Sequence, residues 1–205
     1  LIDSMSSMNS KPKVFLSASA IGFYGDQGDQ LLNEESAKGN GFLSEVCQSW
    51  ENEIFKAKDF GIRTVALRIG MVLGHDGGAL EKMLPPFQLG VGGKLGSGTQ
   101  WMSWIHIHDL VEMMAFSIEN PSADGIYNAV SPNPVRNREF TKILGQVLKR
   151  PTLFPAPKFI LKVVLGELSE LLLGSQRVMS KKISNRGFKF KYPQVQEALK
   201  EVCGN

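Results

Sequence analysis

Short apolar runs alternate with helically spaced apolar residues along the first part of the chain. Residues 14–16 form an apolar run that leads into the small residues 17–20, which predicts a buried strand that opens into a loop. From Phe42 onward, apolar residues recur at helical spacing, and the predicted helix ends near Gly61. A second buried strand is predicted over residues 64–69. Strand, helix and strand in this order predict a right-handed parallel crossover, the unit of α/β domains.

The same alternation continues to residue 130. A helix is predicted from the apolar stripe between Leu80 and Phe87. The glycine-rich loop over residues 90–98 is too flexible for core, and we expect it to be functional or mobile. Asp109 is predicted to cap the next helix, and a third strand is predicted over residues 125–130. Together these elements predict an α/β fold with a partial, Rossmann-type doubly wound parallel sheet.

Beyond residue 130 the pattern changes, because prolines interrupt the chain repeatedly. Helices are predicted over residues 140–147 and 159–173 and near the carboxy terminus over residues 195–202. A short strand is predicted over residues 187–192. This part is expected to form a separate, smaller and mostly helical lobe.

The phosphate-binding start of a dinucleotide fold is not found in this sequence. No Gly-x-Gly-x-x-Gly follows a predicted strand. The glycines of residues 90–98 follow a helix and do not open one, so no pyrophosphate cradle is predicted there. Residues 1–13 are typical of the end of a helix and do not begin with methionine. We therefore expect that the glycine-rich first segment of the fold is missing.

Composition narrows the class of protein. The two cysteines, Cys47 and Cys203, are too few for a disulfide framework or a zinc site and favour a reducing cytoplasm. No apolar run approaches the roughly 20 residues that a membrane span needs. The net charge is only +3. One basic cluster is interpreted as a solvated face, which argues against nucleic acid; it consists of Lys181, Lys182, Arg186, Lys189 and Lys191. The expected partner is a small-molecule substrate, and a homodimer is left open.

Two polar segments carry candidate chemistry. Ser17 and Ser19 end a predicted parallel strand, where ligands gather in open α/β sheets. Their hydroxyls can bind a ribose, a carbonyl or a substrate hydroxyl, or they can simply cap the next turn. Residues 100–104 combine indoles and an amide on a loop, which favours substrate recognition. The alternative is that one tryptophan only anchors the loop.

A metal site is the least favoured interpretation. His106 and His108 form a His-x-His pair, and alternation along a strand would point both rings to one side, with Asp109 as a third ligand. Only His75 could add a further imidazole. A structural or solvent-facing pair is therefore preferred, and no metal is predicted.

Several segments together resemble one protein family. Residues 17–25 resemble the serine-rich strand end and tyrosine-glycine turn of extended short-chain dehydrogenases, which include sugar-nucleotide epimerases and dehydratases. Residues 67–74 resemble the family's strand and loop beside the nicotinamide, and residues 104–110 resemble its later turn into a helix. The chain is similar to an atypical bacterial subgroup, the epimerase family proteins, sometimes labelled cell-division inhibitor homologues. That similarity rests on residues 17–25, Trp50-Glu51, residues 96–104 and residues 187–193.

The resemblance implies a NAD(P)-binding epimerase or reductase whose substrate is unknown, with a nucleotide-sugar-like molecule as the candidate, and NADP is preferred over NAD. It implies that residues 1–130 are the carboxy-terminal part of the cofactor domain. Residues 131–205, with a contribution from residues 76–104, would form the substrate lobe. Ser19 and Tyr24 are the candidate catalytic residues. The expected cofactor neighbours are Ser17, Ala18, Arg68, Ile69, Gly70 and Met71. The expected substrate contacts are Gln100, Trp101, Ser103 and Trp104.

One departure from the family bears directly on catalysis. The family uses a tyrosine as acid/base, together with a lysine that lowers the pKa of that tyrosine. Aligning Glu51 with the family's helix places Leu43 and Cys47 at those two positions. Leucine has no proton to give, and a free cysteine on a helix face more often packs than reacts. A catalytically degenerate nucleotide-binding protein that acts through protein partners is therefore the alternative.

Overall fold

A computed structural model describes residues 1–75, 77–156 and 173–204. The strands are β1 Val14–Ala20, β2 Leu31–Leu32, β3 Arg63–Ile69, β4 Met71–Leu73, β5 Trp101–Met102, β6 Trp104–His106, β7 Gly125–Ala129, β8 Val135–Arg136 and β9 Arg177–Val178. The helices are α1 Ile2–Ser6, α2 Phe42–Phe55, α3 Gly78–Gln88, α4 Ile107–Glu119, α5 Asn137–Leu148, α6 Lys181–Asn185 and α7 Val195–Cys203. Short 3₁₀ helices cover Ile21–Tyr24 and Lys56–Phe60.

Strands β1, β3 and β7 form a parallel sheet in the order β1-β3-β7. The predicted strand–helix–strand crossover is confirmed as β1, α2 and β3, and the predicted third strand is β7. Arg68 is paired with Ser19 on one side and with Asn128 on the other. Paired residues of parallel strands point to the same face, so this register brings three polar side chains together near the carboxyl ends of the strands.

Helices cover both faces of this sheet. Helix α2 places Glu51 against Arg68 on one face. Helix α4 places Leu110 and Met113 in an apolar cluster with Leu67 on the other face. The alternation of polar and apolar residues along β3 thus separates a hydrogen-bonded face from an apolar one. The predicted α/β fold with a doubly wound parallel sheet is confirmed.

A second apolar core gathers elements from distant parts of the chain. Helices α3, α5 and α7 pack together with β4 and β6 around the fully buried Trp104. The predicted helices of this region are confirmed as α3, α5 and α7. The helix predicted over residues 159–173 lies almost entirely outside the described residues. Among the described residues, no helix combines the length and the apolar character needed to span a membrane.

The strand predicted over residues 187–192 is wrong. The structure has no strand there, because the backbone amides of Lys191 and Tyr192 donate to the carboxylate of Asp109, at 2.8 and 2.9 Å. Phe188 and Phe190 pack edge to face, with ring centroids 5.0 Å apart, on the apolar face of the sheet. The apolar alternation that suggested a strand therefore reflects an extended segment anchored by packing and by Asp109.

The predicted role of Asp109 as a helix cap is also wrong. Helix α4 begins at Ile107, and the imidazole Nδ1 of His106 accepts a hydrogen bond from the backbone N–H of His108 at 3.1 Å. His106 therefore caps the helix, while Asp109 lies within its first turn. Because β6 ends at His106, the strand alternation assumed for His106 and His108 does not apply.

The glycine-rich loop is more closely packed than its composition suggested. Gly92 and Gly93 are buried. A Cβ atom at Gly93 would lie 2.0 Å from the carbonyl oxygen of Phe154. The backbone of Lys94 and Gly96 also exchanges hydrogen bonds with Ala156. Here glycine permits close approach of two chain segments, which the sequence alone did not distinguish from flexibility.

Candidate functional site

Ser19 lies at the carboxyl end of β1 and faces α2. Its hydroxyl donates to Oε1 of Glu51 at 2.7 Å. Arg68 holds the same carboxylate with two hydrogen bonds, from Nε at 2.8 Å and from Nη2 at 2.7 Å. All three side chains are buried. Because the proton of Ser19 is directed at Glu51, the lone pairs of the serine oxygen remain able to accept a hydrogen bond.

Tyr24 extends this network toward β7. Its hydroxyl donates to Oδ1 of Asn128 at 2.7 Å and accepts from Nη1 of Arg68 at 2.9 Å. The side chain is fully buried. Burial raises the pKa of Tyr24, and the charge and hydrogen bond of Arg68 offset only part of this effect. Tyr24 is therefore a neutral hydroxyl whose hydrogen bonds are already made within the protein.

Glu34 and Asn128 are members of this network that the sequence did not indicate. The backbone N–H of Asn128 donates to Oε1 of Glu34 at 2.9 Å, and its side-chain amide donates to the carbonyl of Met179 at 3.0 Å. Burial raises the pKa of Glu34. No local motif marks either residue, since both contacts join segments distant in the chain.

Arg68 was predicted beside the cofactor, but its guanidinium lies beneath the surface. The side chain is 3% exposed. Its carbon Cζ lies 3.4 Å from the centroid of the Phe23 ring. With Nε, Nη1 and Nη2 all donating to Glu51 or Tyr24, the guanidinium organises neighbouring side chains. This placement favours a positioning role for Arg68 over the direct cofactor contact that was predicted.

The other predicted cofactor neighbours lie together at the strand ends. Ala18 is exposed, while Ile69, Gly70 and Met71 are half-buried. Ala18 and Gly70 are small, and Ile69 and Met71 are apolar, which suits contact with the flat face of a nicotinamide ring. Ser17 is half-buried at the same strand end, and the one hydrogen bond that its hydroxyl makes to a described residue is a long one, of 3.4 Å, to the carbonyl of Ala18.

Gly70 has a structural requirement of its own. A Cβ atom there would lie 2.6 Å from the carbonyl oxygen of Ser103 and 2.7 Å from Cγ1 of Val130. Its backbone N–H also donates to Ala129 at 3.1 Å. The glycine is therefore needed where the chain passes from β3 to β4 against β6, whether or not a cofactor is bound.

Leu43 and Cys47 lie on the same face of α2 as Glu51, about two turns and one turn before it, respectively. A Cβ atom at Gly22 would lie 3.5 Å from Cβ of Leu43 and 3.8 Å from Sγ of Cys47, so this face is directed at the 3₁₀ turn. Burial raises the pKa of the Cys47 thiol. Cys47 is thus a buried, protonated thiol without the features of a reactive nucleophile.

Three of the four predicted substrate contacts are buried within the protein. Trp104 is fully buried, and its Nε1 donates to the carbonyl of Asn133 at 3.1 Å. Ser103 is 2% exposed and accepts from the N–H of Val178 at 2.9 Å. Gln100 is 7% exposed. Of the four, Trp101 is half-buried and accessible to solvent. It is therefore the predicted residue best placed to contact a substrate.

The metal-site interpretation gains no support. Nε2 of His106 lies 2.7 Å from Oε2 of Glu201, its Nδ1 caps α4, and both carboxylate oxygens of Asp109 accept backbone hydrogen bonds. Across residues 1–75, 77–156 and 173–204, no group of three or more His, Cys, Asp or Glu side chains is arranged to hold a metal ion.

The fold and the strand-end surface define an α/β protein of the nucleotide-binding type, and comparison with known proteins specifies the family. Residues 1–130 match the NAD dependent epimerase/dehydratase family, and residues 156–202 match a domain of unknown function, DUF1731. The chain therefore belongs to the NAD dependent epimerase/dehydratase family.

Relatives extend this similarity over most of the chain. It is 46% identical, over 94% of its length, to the Arabidopsis thaliana epimerase family protein SDR39U1 homolog, chloroplastic, and covers 55% of that protein. It is 39% identical to the Bacillus subtilis epimerase family protein YfhF, over 95% of its own length and 64% of the relative. The chain thus spans between about half and two-thirds of these relatives.

Solved structures agree with the fold. The human epimerase family protein SDR39U1, crystallised with NADPH, superposes with a TM-score of 0.89 at 29% identity. The superposition covers all of this chain and 70% of the human chain. A nucleoside-diphosphate sugar epimerase from Corynebacterium glutamicum gives a TM-score of 0.80 at 35% identity, over 99% of this chain and 40% of the other.

Proposed function

We propose that this protein is a NAD(P)-dependent epimerase or reductase that acts on a small molecule of the nucleotide-sugar type. The observation that carries the proposal is the apolar surface at the adjacent ends of β1 and β3, where exposed Ala18 lies next to Ser19 in the chain and Ile69 lies opposite Ala20. A bound nicotinamide cofactor would supply hydride chemistry at this surface. NADP is preferred because the human relative was crystallised with NADPH.

The chain's own residues suit this role. Ala18, Ile69 and Met71 would hold the nicotinamide ring by apolar contact. Ser19 would accept a hydrogen bond from a substrate hydroxyl, since its own proton is directed at Glu51. Residues 1–130 would provide the cofactor side of the site, and residues 131–205, with residues 76–104, the substrate side.

Titration of NADPH and NADH tests this proposal directly. The ligands are added to this chain and to a version extended to the full length of its relatives, and nicotinamide fluorescence is followed. We expect the extended protein to bind tightly and Ala18→Phe to weaken binding by at least about tenfold, because the new ring would occupy the nicotinamide position. Ala37→Phe, at another exposed alanine, is the matched control. Absence of binding, or binding that is insensitive to Ala18→Phe, would overturn the assignment.

A second candidate function is a nucleotide-binding protein without catalysis that acts through protein partners. It is favoured by Leu43 and the buried Cys47 on the helix face where the family carries its tyrosine and lysine. Hydride transfer or epimerisation of any sugar nucleotide by the extended protein would reject this candidate. Tight NADPH binding without turnover over a panel of such substrates would favour it.

Location and assembly are further parts of the proposal. The cytoplasm suits two cysteines that are both free, Cys47 and Cys203. We expect a small-molecule partner and neither nucleic acid nor a membrane. A homodimer remains a prediction, which sedimentation velocity on the extended protein would test.

A further inference from the structure

Two arginines meet at the ring of Trp101, the accessible member of the predicted substrate segment. The carbon Cζ of Arg136 lies 4.7 Å from the ring centroid, and that of Arg177 lies 4.5 Å from it. Both distances are within the range of cation–π attraction, which orients a guanidinium against an indole. Trp101, Arg136 and Arg177 together form a platform in which two guanidinium groups lie against one aromatic ring.

Backbone hydrogen bonds hold the three residues in place. Trp101 on β5 is paired with Arg136 on β8. The backbone N–H of Trp101 donates to the hydroxyl of Ser175 at 3.0 Å, and its carbonyl accepts from the N–H of Gln176 at 3.3 Å. Arg177 follows directly on β9. The platform is therefore built from three chain segments locked together, and its geometry does not depend on long, mobile side chains alone.

The two arginines differ in how their donors are used. Arg136 donates to the carbonyl of Thr99 and pairs with Asp29 at 3.0 Å. The backbone of Arg177 pairs with β2, but its side chain makes no hydrogen bond or ion pair to any described residue, and its Nε is buried without an acceptor. A buried donor without an acceptor is costly, and a guanidinium is suited to the paired oxygens of carboxylate or phosphate. Arg177 therefore lacks an anionic acceptor.

Asp29 shows that this face accepts an anion. Its Oδ1 accepts from Nε1 of Trp101 at 2.8 Å and pairs with Arg136, while the side chain is 71% exposed. The hydrogen bonds from Arg136 and Trp101 lower the pKa of Asp29, so it is charged at neutral pH. With two guanidinium groups and one carboxylate, the cluster keeps an excess of one positive charge.

We propose that Arg177, Arg136 and the ring of Trp101 form a binding site for the anionic oxygens of a small ligand, phosphate or carboxylate, and that Asp29 is a built-in competitor for that site. The inference rests on the proposed function, because it assigns the residues that would bind the anionic group of the proposed substrate. An anionic oxygen of the ligand would bind Arg177 first. A second oxygen would then compete with the Asp29 carboxylate for Arg136. The exposed position of Asp29 permits this exchange.

Calorimetric titration of pyrophosphate and of succinate into this chain tests the inference and distinguishes phosphate from carboxylate ligands. Arg177→Ala is expected to weaken binding of the preferred probe by at least about tenfold, since a charge-assisted hydrogen bond is lost. Asp29→Asn is expected to strengthen binding about threefold, because one negative charge is removed several ångströms from the ligand. Arg186→Ala, at an exposed arginine elsewhere, is the matched control and should have no effect.

Misfolding cannot produce the higher affinity expected for Asp29→Asn. That result therefore tests the site even if the Arg177→Ala variant loses binding only because it is unstable. Absence of binding by both probes, or binding that neither substitution changes, would overturn the inference. NADPH binding by the extended protein is measured with the same variants. Absence of pyrophosphate and succinate binding by the parent chain, with intact NADPH binding by the extended protein, would reject the anion site alone. The reverse result would reject the cofactor assignment alone.

Discussion

Glu51 and Arg68 form a buried ion pair in which the guanidinium Nε and Nη2 lie 2.8 and 2.7 Å from the two carboxylate oxygens. The side chains are 6% and 3% exposed. Ser19 donates to the same carboxylate, so the pair joins β1, α2 and β3 at the predicted site. A buried ion pair adds little net stability, because both charges lose their hydration. Removing one partner is strongly destabilising, because the other charge stays buried without compensation.

Glu51→Gln should therefore lower the free energy of unfolding by about 3–5 kcal/mol, because Arg68 would stay buried without its countercharge. Urea unfolding at neutral pH measures the change. Glu53→Gln is the control, since the Glu53 side chain is 63% exposed and its pairing with Lys56 should contribute at most about 1 kcal/mol. Equal effects of the two substitutions would show that the buried pair has no special importance.

Tyr24→Phe should lower the free energy of unfolding by about 1–3 kcal/mol, because Oδ1 of Asn128 and Nη1 of Arg68 would each lose a hydrogen-bond partner in the interior. Thermal or urea unfolding measures this loss. Tyr192→Phe is a suitable comparison, since the Tyr192 hydroxyl makes no hydrogen bond to any described residue. A Tyr24→Phe protein as stable as the Tyr192→Phe protein would contradict the network.

The stability of the protein should depend on Glu34 in a pH-dependent way. Burial raises the pKa of Glu34 in the folded state. The folded protein therefore binds this proton more tightly than the unfolded chain does, and stability from this group is greatest at low pH and falls as pH rises through the folded pKa. Glu34→Gln, which keeps an acceptor for Asn128, should gain stability relative to the parent as the pH rises above the ordinary glutamate pKa of about 4.3. Unfolding curves at several pH values would refute this if the difference did not change with pH.

Gly93→Ala should lower the free energy of unfolding by about 1–3 kcal/mol, because its Cβ would lie 2.0 Å from the carbonyl oxygen of Phe154 and would force the two segments apart. Gly74→Ala provides the contrast, since a Cβ there would make an ordinary contact of 3.5 Å with Ile107. Chemical denaturation of both variants measures the difference. A mobile glycine-rich loop would tolerate both changes equally.

Part of the candidate site was predictable from local sequence. Ser19 ends an apolar run, and such a run reports a buried parallel strand whose carboxyl end faces ligands. The positions of Leu43, Cys47 and Glu51 on one helix face follow from their spacing alone. Arg68 is paired with Ser19 across the sheet, but its burial was not foreseen, since a strand pattern does not show which face carries an ion-pair partner.

The sequence by itself determined the order of strands and helices along the first part of the chain and the membership in the family. Both are properties of short segments, because apolar periodicity and motif residues are read within one element. Only the tertiary structure decided that Tyr24 meets Asn128, that Asp109 binds the backbone at Tyr192, and that Arg177 reaches Trp101. These contacts join distant segments, and hydrogen bonds form only when packing and register place donor and acceptor about 3 Å apart.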